Sequence, residues 1–123
     1  MPHRRRILIV EDEPLIALTL AEMAEAVGYE ALGPVARETD AVAEAGRLQP
    51  DAILMDVRLA DGGSGLVAAE RIRAFSDTPI IFCTAYAEEA DLRRAVVALR
   101  ARLIEKPVVP RLLEKALAEV TAT

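Results

Sequence analysis

Short aliphatic runs alternate along this chain with longer stretches whose apolar residues recur at helical spacing. The short runs predict strands that are covered on both faces, as in a parallel sheet. One run is weaker than the others, because Gly33 and Pro34 interrupt it. The predicted strands are residues 7–10, 30–35, 52–55, 78–83 and 102–105.

The longer stretches predict helices between and after these strands. Pro14 suits the first position of a helix, and Gly28 suits its C-terminal stop. Ser64 follows a glycine-rich loop and is a candidate helix cap. The predicted helices are residues 14–27, 37–48, 66–73, 88–99 and 110–120.

The alternation of strands and helices predicts an α/β fold. Its architecture is a doubly wound, five-stranded parallel sheet with five helices. With 123 residues and 53% hydrophobic residues, the chain suits one domain over 1–123 and argues against disorder. We expect residues 1–5 to form a flexible basic tail.

Composition excludes several other classes of protein. The net charge of −5 disfavours nucleic-acid binding. No apolar run approaches the roughly 20 residues that cross a bilayer. The single cysteine, Cys83, excludes an internal disulfide and fits a reducing compartment, so we expect a cytoplasmic protein. With His3 the only histidine, a zinc site within one chain is nearly excluded.

Polar residues follow four of the predicted strands and are the candidates for chemistry: Glu11 and Asp12, then Asp56, Thr84 and Lys106. The carboxyl ends of parallel strands meet at one edge of the sheet, where ligands bind. Carboxylates there suit Mg²⁺, an aspartate can accept a phosphoryl group, and a hydroxyl and an ammonium group can hold its oxygens. Any one acid after a strand is usually a turn residue or a cap. Only the combination favours function.

Lys106 is the most informative of these residues. Arginine is far commoner than lysine in this chain, where lysine occurs at two positions. A lysine at a strand end therefore indicates a need for a compact point charge.

Four motifs occur in order over essentially the whole chain: VEDEP from residue 10, ILMD from residue 53, FCTA from residue 82 and EKP from residue 105. Together they resemble the receiver domain of bacterial two-component response regulators. The resemblance implies a flavodoxin-like sheet with strand order 2-1-3-4-5. It also implies a signalling protein rather than an enzyme.

The resemblance implies a role for each acid. Asp56 would accept a phosphoryl group from a sensor histidine kinase or a histidine phosphotransfer protein. Asp12, with Glu11 close by, would hold Mg²⁺ together with Asp56 and the backbone carbonyl of Arg58.

The remaining roles also come from the resemblance. Thr84 would bind a phosphoryl oxygen and turn inward on activation. Lys106 would pair with Asp56 and afterwards with the phosphoryl group, and the Lys106–Pro107 bond would be cis.

Three features depart from the family pattern. Leu103 occupies the position of the usual aromatic switch residue, and residues 99–102 lack the usual glycine. Residues 79–86 partly match a Pro-x-x-Phe-Ala-Thr-Gly-Tyr motif of alphaproteobacterial receivers, with Ala85 in place of the glycine. We hypothesise that Tyr86 takes over part of the switch role. Arg58 and Tyr86 also occupy the two positions that affect phosphoryl lifetime in this family.

The leading interpretation is a stand-alone phosphoacceptor that acts through protein–protein contacts. Its changing face would be the fourth helix, last strand and last helix, which is also a candidate surface for homodimerisation. The arginines on that face favour an acidic partner: Arg93, Arg94, Arg100, Arg102 and Arg111.

Three alternatives stay open. One is a pseudo-receiver that binds partners without phosphorylation, and another is a receiver fragment of a longer regulator. The third is a phosphatase of the haloacid dehalogenase type. Arg58 counts against it, because that chemistry wants a second aspartate at this position.

Overall fold

Five strands and five α-helices alternate along residues 4–122, the part of the chain that the computed structural model describes. The strands are β1 (Arg6–Val10), β2 (Glu30–Val35), β3 (Ala52–Met55), β4 (Ile80–Thr84) and β5 (Arg102–Glu105). The helices are α1 (Pro14–Ala26), α2 (Glu38–Leu48), α3 (Gly65–Arg73), α4 (Ala90–Ala98) and α5 (Pro110–Thr121). A short 3₁₀ turn (Ala60–Gly62) precedes α3.

The strands form one parallel sheet in the order β2-β1-β3-β4-β5, which confirms the predicted fold. The order reverses between β1 and β3, whose backbones pair directly, for example Ile9 with Leu54. A reversal of this kind opens a crevice at the carboxyl ends of the two strands. Glu11 and Asp12, which follow β1, and Asp56, which follows β3, therefore lie beside this crevice.

Alternation along each strand divides the core between the two faces of the sheet. In β1, Ile7 and Ile9 pack on the side of α1 and α5, whereas Leu8 and Val10 pack on the side of α2 and α3. All four side chains are almost completely buried. The central strands therefore read as continuous aliphatic runs, because neither face of the sheet meets water.

Each helix buries one face. In α5 the buried face carries Leu113, Ala116 and Leu117.

Ser64 caps α3 as predicted, since its hydroxyl oxygen accepts hydrogen bonds from the amides of Leu66 and Val67 at 3.1 and 3.2 Å. No helix within the described residues has the length and apolar character needed to cross a membrane.

Three strands match their predicted bounds and β1 begins one residue earlier than predicted, whereas β4 and α4 differ more. β4 begins at Ile80 rather than at residue 78, since Pro79 has no N–H to give to a sheet. It continues through Thr84. α4 is shorter than predicted and starts after Glu89, whose backbone is extended. The missing glycine after α4 has a visible consequence, because Arg100 adopts the left-handed conformation with φ of 55°.

Arg5, the last residue of the predicted tail, is hydrogen-bonded to two other elements, while residues 1–3 lie outside the described part of the chain. The carbonyl of Arg5 accepts from the amide of Glu30 at 2.8 Å, and its guanidinium donates to the carbonyl of Thr121. The guanidinium of Arg6 donates to the carbonyl of Leu48. Both arginines thus satisfy carbonyls at the last residue of a helix, where a cation is favoured.

Gly65 brings the start of α3 against the backbone of Asp56. A Cβ at residue 65 would lie 1.9 Å from the carbonyl oxygen of Asp56, so no larger side chain fits. The amide of Gly65 also donates to the carbonyl of Val57 at 2.7 Å. This close approach fixes the end of β3, from which the Asp56 side chain projects.

We expect Gly65→Ala to destabilise the protein by about 2 kcal/mol or more, because the Asp56 backbone must move away from the new methyl group. The matched control is Gly46→Ala in α2. Its methyl group would make an ordinary 3.6 Å contact with Phe75, and alanine is the better helix former. That control should gain about 0.5–1 kcal/mol. Urea denaturation measures both changes, and equal stabilities for the two variants would contradict the close approach.

Candidate functional site

The fold brings the polar strand ends together at the carboxyl edge of the sheet. Glu11 and Asp12 follow β1, Asp56 follows β3, Thr84 ends β4 and Lys106 follows β5. These four strands are neighbours in the sheet. Residues far apart in sequence therefore meet, as their positions after parallel strands predict.

The ammonium group of Lys106 lies between two carboxylates. Its Nζ is 2.7 Å from Oε1 of Glu11 and 3.1 Å from Oδ2 of Asp56. The side chains of Glu11, Asp56 and Lys106 are 1%, 13% and 15% exposed. Charge-assisted hydrogen bonds shielded from water in this way are strong. The predicted pairing of Lys106 with Asp56 is present, and Glu11 lies nearer still to Lys106.

Three carboxylates form a cluster at this edge. Glu11, Asp12 and Asp56 each offer an oxygen, and these oxygens all lie within 4.8 Å of one another. Mg²⁺ prefers carboxylate oxygens and keeps several water ligands. The exposed side of Asp12 leaves room for such waters. The donor set therefore fits Mg²⁺.

Burial and crowding shift the pKa values of this cluster. Burial raises the pKa of Glu11 to about 7, the bond from Lys106 counteracts part of this rise, and the neighbouring Asp56 adds to it. Burial lowers the pKa of Lys106, but hydrogen bonds and charge from Glu11 and Asp56 outweigh that effect and raise it. The site thus holds an ammonium group and carries more negative charge than this group can balance.

The backbone fixes the carboxylate of Asp56. Its Oδ1 accepts from the amide of Val57 at 2.7 Å, and its Oδ2 faces Lys106. Its own amide donates to the carbonyl of Val10 at 2.9 Å. A carboxylate held from both oxygens is oriented before any ligand arrives.

Thr84 is buried at the end of β4. Its hydroxyl oxygen accepts from the amide of Tyr86 at 3.0 Å, and its carbonyl accepts from the amide of Lys106 at 2.8 Å. The Lys106–Pro107 bond is cis, as predicted, and Gly33–Pro34 is also cis, which the sequence reading missed.

Arg58 and Tyr86 meet above the strand ends. The guanidinium carbon of Arg58 lies 3.8 Å from the centroid of the Tyr86 ring, a cation–π contact. Its Nη2 is 3.8 Å from Oε1 of Glu89. The backbone of Arg58 pairs in an antiparallel bridge with Ser64. Sequence reading singled out Arg58 and Tyr86 but missed Glu89, because one more acid in an exposed acidic stretch carries no distinguishing signal.

Two other residues discussed from the sequence are Cys83 and Leu103, which pack in or against the core. Cys83 is buried in β4, and burial raises the pKa of its thiol to about 12, which agrees with a core residue rather than a nucleophile. Leu103 is half-buried and packs against the core on the α2 and α3 side. His3 lies outside the described residues.

Comparison with known proteins agrees with this geometry. The model of the response regulator receiver domain matches residues 7–118. The phyllosphere-induced regulator PhyR of Methylorubrum extorquens is 45% identical over 83 residues, which are 67% of this chain and 31% of that protein. The transcriptional regulatory protein PdtaR of Mycobacterium tuberculosis is 37% identical over 103 residues, which are 84% of this chain and 50% of that protein.

A solved structure supports the same conclusion. The solution structure of the Erythrobacter litoralis PhyR receiver domain superposes with a TM-score of 0.80 at 32% identity. The match covers 95% of this chain and 89% of that one. The match thus covers half or less of the two curated relatives but nearly all of an isolated receiver domain. With its matching sheet order and acidic edge, this chain belongs to the response regulator receiver domain family.

Proposed function

We propose that this protein is a phosphoacceptor switch that is phosphorylated on Asp56 in a Mg²⁺-dependent reaction. The observation that carries the proposal is the cluster of Glu11, Asp12 and Asp56 beside the ammonium group of Lys106. The phosphodonor is a sensor histidine kinase or a histidine phosphotransfer protein. The location is cytoplasmic, where such donors present their phosphohistidine.

The transfer step uses the oriented carboxylate of Asp56. A carboxylate oxygen attacks phosphorus, the P–N bond to the donor histidine breaks, and its electron pair returns to the imidazole, which takes up a proton. Glu11, Asp12, Asp56 and the carbonyl of Arg58 would hold Mg²⁺, which supplies positive charge to the phosphoryl oxygens. The product is an aspartyl-phosphate, and the protein is a switch rather than a turnover enzyme.

Lys106 and Thr84 then hold the phosphoryl group. The ammonium group of Lys106 already donates to Oδ2 of Asp56. A small movement would therefore bring it to an oxygen of a phosphoryl group on Asp56. If the side chain of Thr84 turns inward to bind a phosphoryl oxygen, its hydroxyl oxygen leaves the hydrogen bond that it accepts from the amide of Tyr86. Phosphorylation therefore disturbs the loop after β4, and Tyr86 takes part in the switch from this position.

The output is a protein–protein contact on the face formed by α4, β5 and α5. A groove of about 610 Å³ on this face is lined by Leu103, Val109 and Leu112 among others. Four of the five arginines assigned to this face pair with acids of the same chain, as Arg102 does with Glu119 at 3.3 Å. Apolar contact rather than net positive charge is therefore the attraction that this face offers to a target or to a second copy.

A second candidate is a receiver that serves an output domain outside this sequence. The observation that favours it is the greater length of PhyR and PdtaR, of which this chain covers 31% and 50%. Phosphorylation on Asp56 is common to both candidates. A pseudo-receiver, the other alternative, would lack it.

Incubation with acetyl phosphate and Mg²⁺ should add one phosphoryl group to the wild type, measured as intact mass. Asp56→Asn should gain none, because an amide cannot form the acyl phosphate. Asp61→Asn is the matched control, since Asp61 is exposed, pairs with Arg37 and lies outside the acid cluster. Its gain should equal that of the wild type. A folded wild type that gains no mass would support the pseudo-receiver.

Added Mg²⁺ should raise the thermal unfolding temperature of the wild type, because an ion that binds only the folded state stabilises it. Asp12→Asn should lose most of this rise. Glu13→Gln is the matched control, because Glu13 is the next residue, equally exposed and not a member of the cluster. An equal rise in all three proteins would contradict the assigned ligands.

Without Mg²⁺, Lys106→Met should destabilise the protein by about 2–4 kcal/mol, because it leaves Glu11 and Asp56 shielded from water without their cation. Lys115→Met, on α5, is the control and should change stability by less than about 0.5 kcal/mol. Urea denaturation measures both. An unchanged stability in Lys106→Met would show that the cluster does not depend on this ion pair.

A further inference from the structure

Arg58, Tyr86 and Glu89 form a contact, here called the loop clasp, between the segments that follow β3 and β4. The guanidinium of Arg58 stacks on the Tyr86 ring at 3.8 Å and lies 3.8 Å from the Glu89 carboxylate. Arg58 is two residues from Asp56, and Tyr86 is two residues from Thr84. The loop clasp therefore joins the two segments that carry the reacting carboxylate and the switch hydroxyl.

The ionic half of the loop clasp is weak. The distance of 3.8 Å between Arg58 and Glu89 exceeds that of a hydrogen bond. Their side chains are 65% and 54% exposed, so water competes with the pair. Exposed ion pairs of this kind contribute little to stability. A nearby anion of higher charge can therefore replace Glu89 as the partner of Arg58 at a small cost in free energy.

Phosphorylation of Asp56 supplies such an anion. A phosphoryl group carries about −1.5 to −2 charges and offers oxygens that a guanidinium binds with two hydrogen bonds. Arg58 follows Asp56 in the same short segment, whose backbone is fixed by the bridge to Ser64. We propose, on the basis of the proposed function, that the phosphoryl group displaces Glu89 from Arg58. This exchange of partners then changes the conformation at the start of α4.

The position of Glu89 makes it the residue that connects the exchange to α4. Glu89 is the N-cap of α4, and its side chain makes no capping hydrogen bond. Its amide donates to the carbonyl of Tyr86 and its carbonyl accepts from the amide of Arg93, both at 3.1 Å. A carboxylate released from Arg58 is free to turn to the positive end of the helix. The first turn of α4 then changes its capping when Arg58 leaves.

A second contact leads to the same segment. The amide of Tyr86 donates to the hydroxyl oxygen of Thr84 at 3.0 Å. When Thr84 turns to a phosphoryl oxygen, Tyr86 loses this acceptor while Arg58 leaves its ring. Both changes act on residues 86–89, and neither requires an aromatic side chain at position 103. The loop clasp makes Glu89 a positioning residue for Arg58.

The test measures binding of beryllofluoride, an anion that mimics the phosphoryl group, to the full chain in Mg²⁺ at low salt, followed by amide resonances of residues 90–93. Glu89→Gln should bind beryllofluoride about two- to fivefold more tightly than the wild type, because Arg58 has lost its competing carboxylate. Without the anion, its resonances should already lie displaced towards the bound positions. Salt should erase the difference in affinity.

Glu88→Gln is the matched control. It removes the same charge one residue away, but Glu88 pairs with Arg93 at 3.2 Å rather than with Arg58. Its affinity and its resonances at residues 90–92 should follow the wild type, whereas the resonance of Arg93 is left out of this comparison because Arg93 is the partner of Glu88. Equal behaviour of Glu88→Gln and Glu89→Gln would assign the effect to general charge and overturn the proposal.

The double variant tests the route through Arg58. In an Arg58→Gln background, Glu89→Gln should change the affinity for beryllofluoride by less than about 1.5-fold, because the guanidinium with which Glu89 pairs is absent. A full gain in that background would overturn the proposal. These outcomes differ from a failure of the proposed function itself, in which the folded wild type does not bind beryllofluoride at all and both proposals fall together.

Discussion

The ion pairs of Lys106 with Glu11 and Asp56 are the interaction on which the carboxyl edge of the sheet depends. Glu11 is almost fully buried, and a lone carboxylate at that depth is costly. Three carboxylates and one ammonium group still leave two negative charges without compensation when all are ionised. Burial raises the pKa of Glu11 to about 7 and the neighbouring Asp56 adds to the rise, while a divalent cation would offset the excess negative charge. Charge balance thus links the fold to the chemistry of the site.

The scaffold holds these charges by a small number of backbone contacts. β1 and β3 are buried and pair directly, so Glu11 and Asp56 leave the sheet side by side. Gly65 presses α3 against the carbonyl of Asp56, which limits how far that carboxylate can move. Lys106 reaches the pair from β5, and its amide donates to Thr84 on the neighbouring strand. Backbone contacts therefore fix the segments that carry these groups, as precise phosphoryl chemistry requires.

Sequence patterns predicted the parallel sheet and the five polar residues at its edge, because aliphatic runs indicate buried strands and the polar residues mark where those strands end. The order of the strands came only from the family resemblance. They did not predict that Arg5 is tied to α5, since a guanidinium that satisfies a distant carbonyl leaves no local pattern. The close approach at Gly65 was hidden for a similar reason, because a glycine beside a helix cap reads as a loop residue. Contacts between segments far apart in sequence, such as Arg58 with Glu89, become visible only in three dimensions.

Leu103 raises the question of how a change at Asp56 reaches the surface. Its aliphatic side chain is half-buried against the core and has neither a ring to reorient nor a polar atom to exchange. The segment after β4 has both, since the Tyr86 ring lies under Arg58 and its amide is bonded to Thr84. Under the proposed function, phosphorylation would alter the charge near Arg58 and the hydrogen-bond acceptor of the Tyr86 amide. The weakest contacts at the site are therefore the ones placed to respond, while the buried ion pairs below them keep the acids in position.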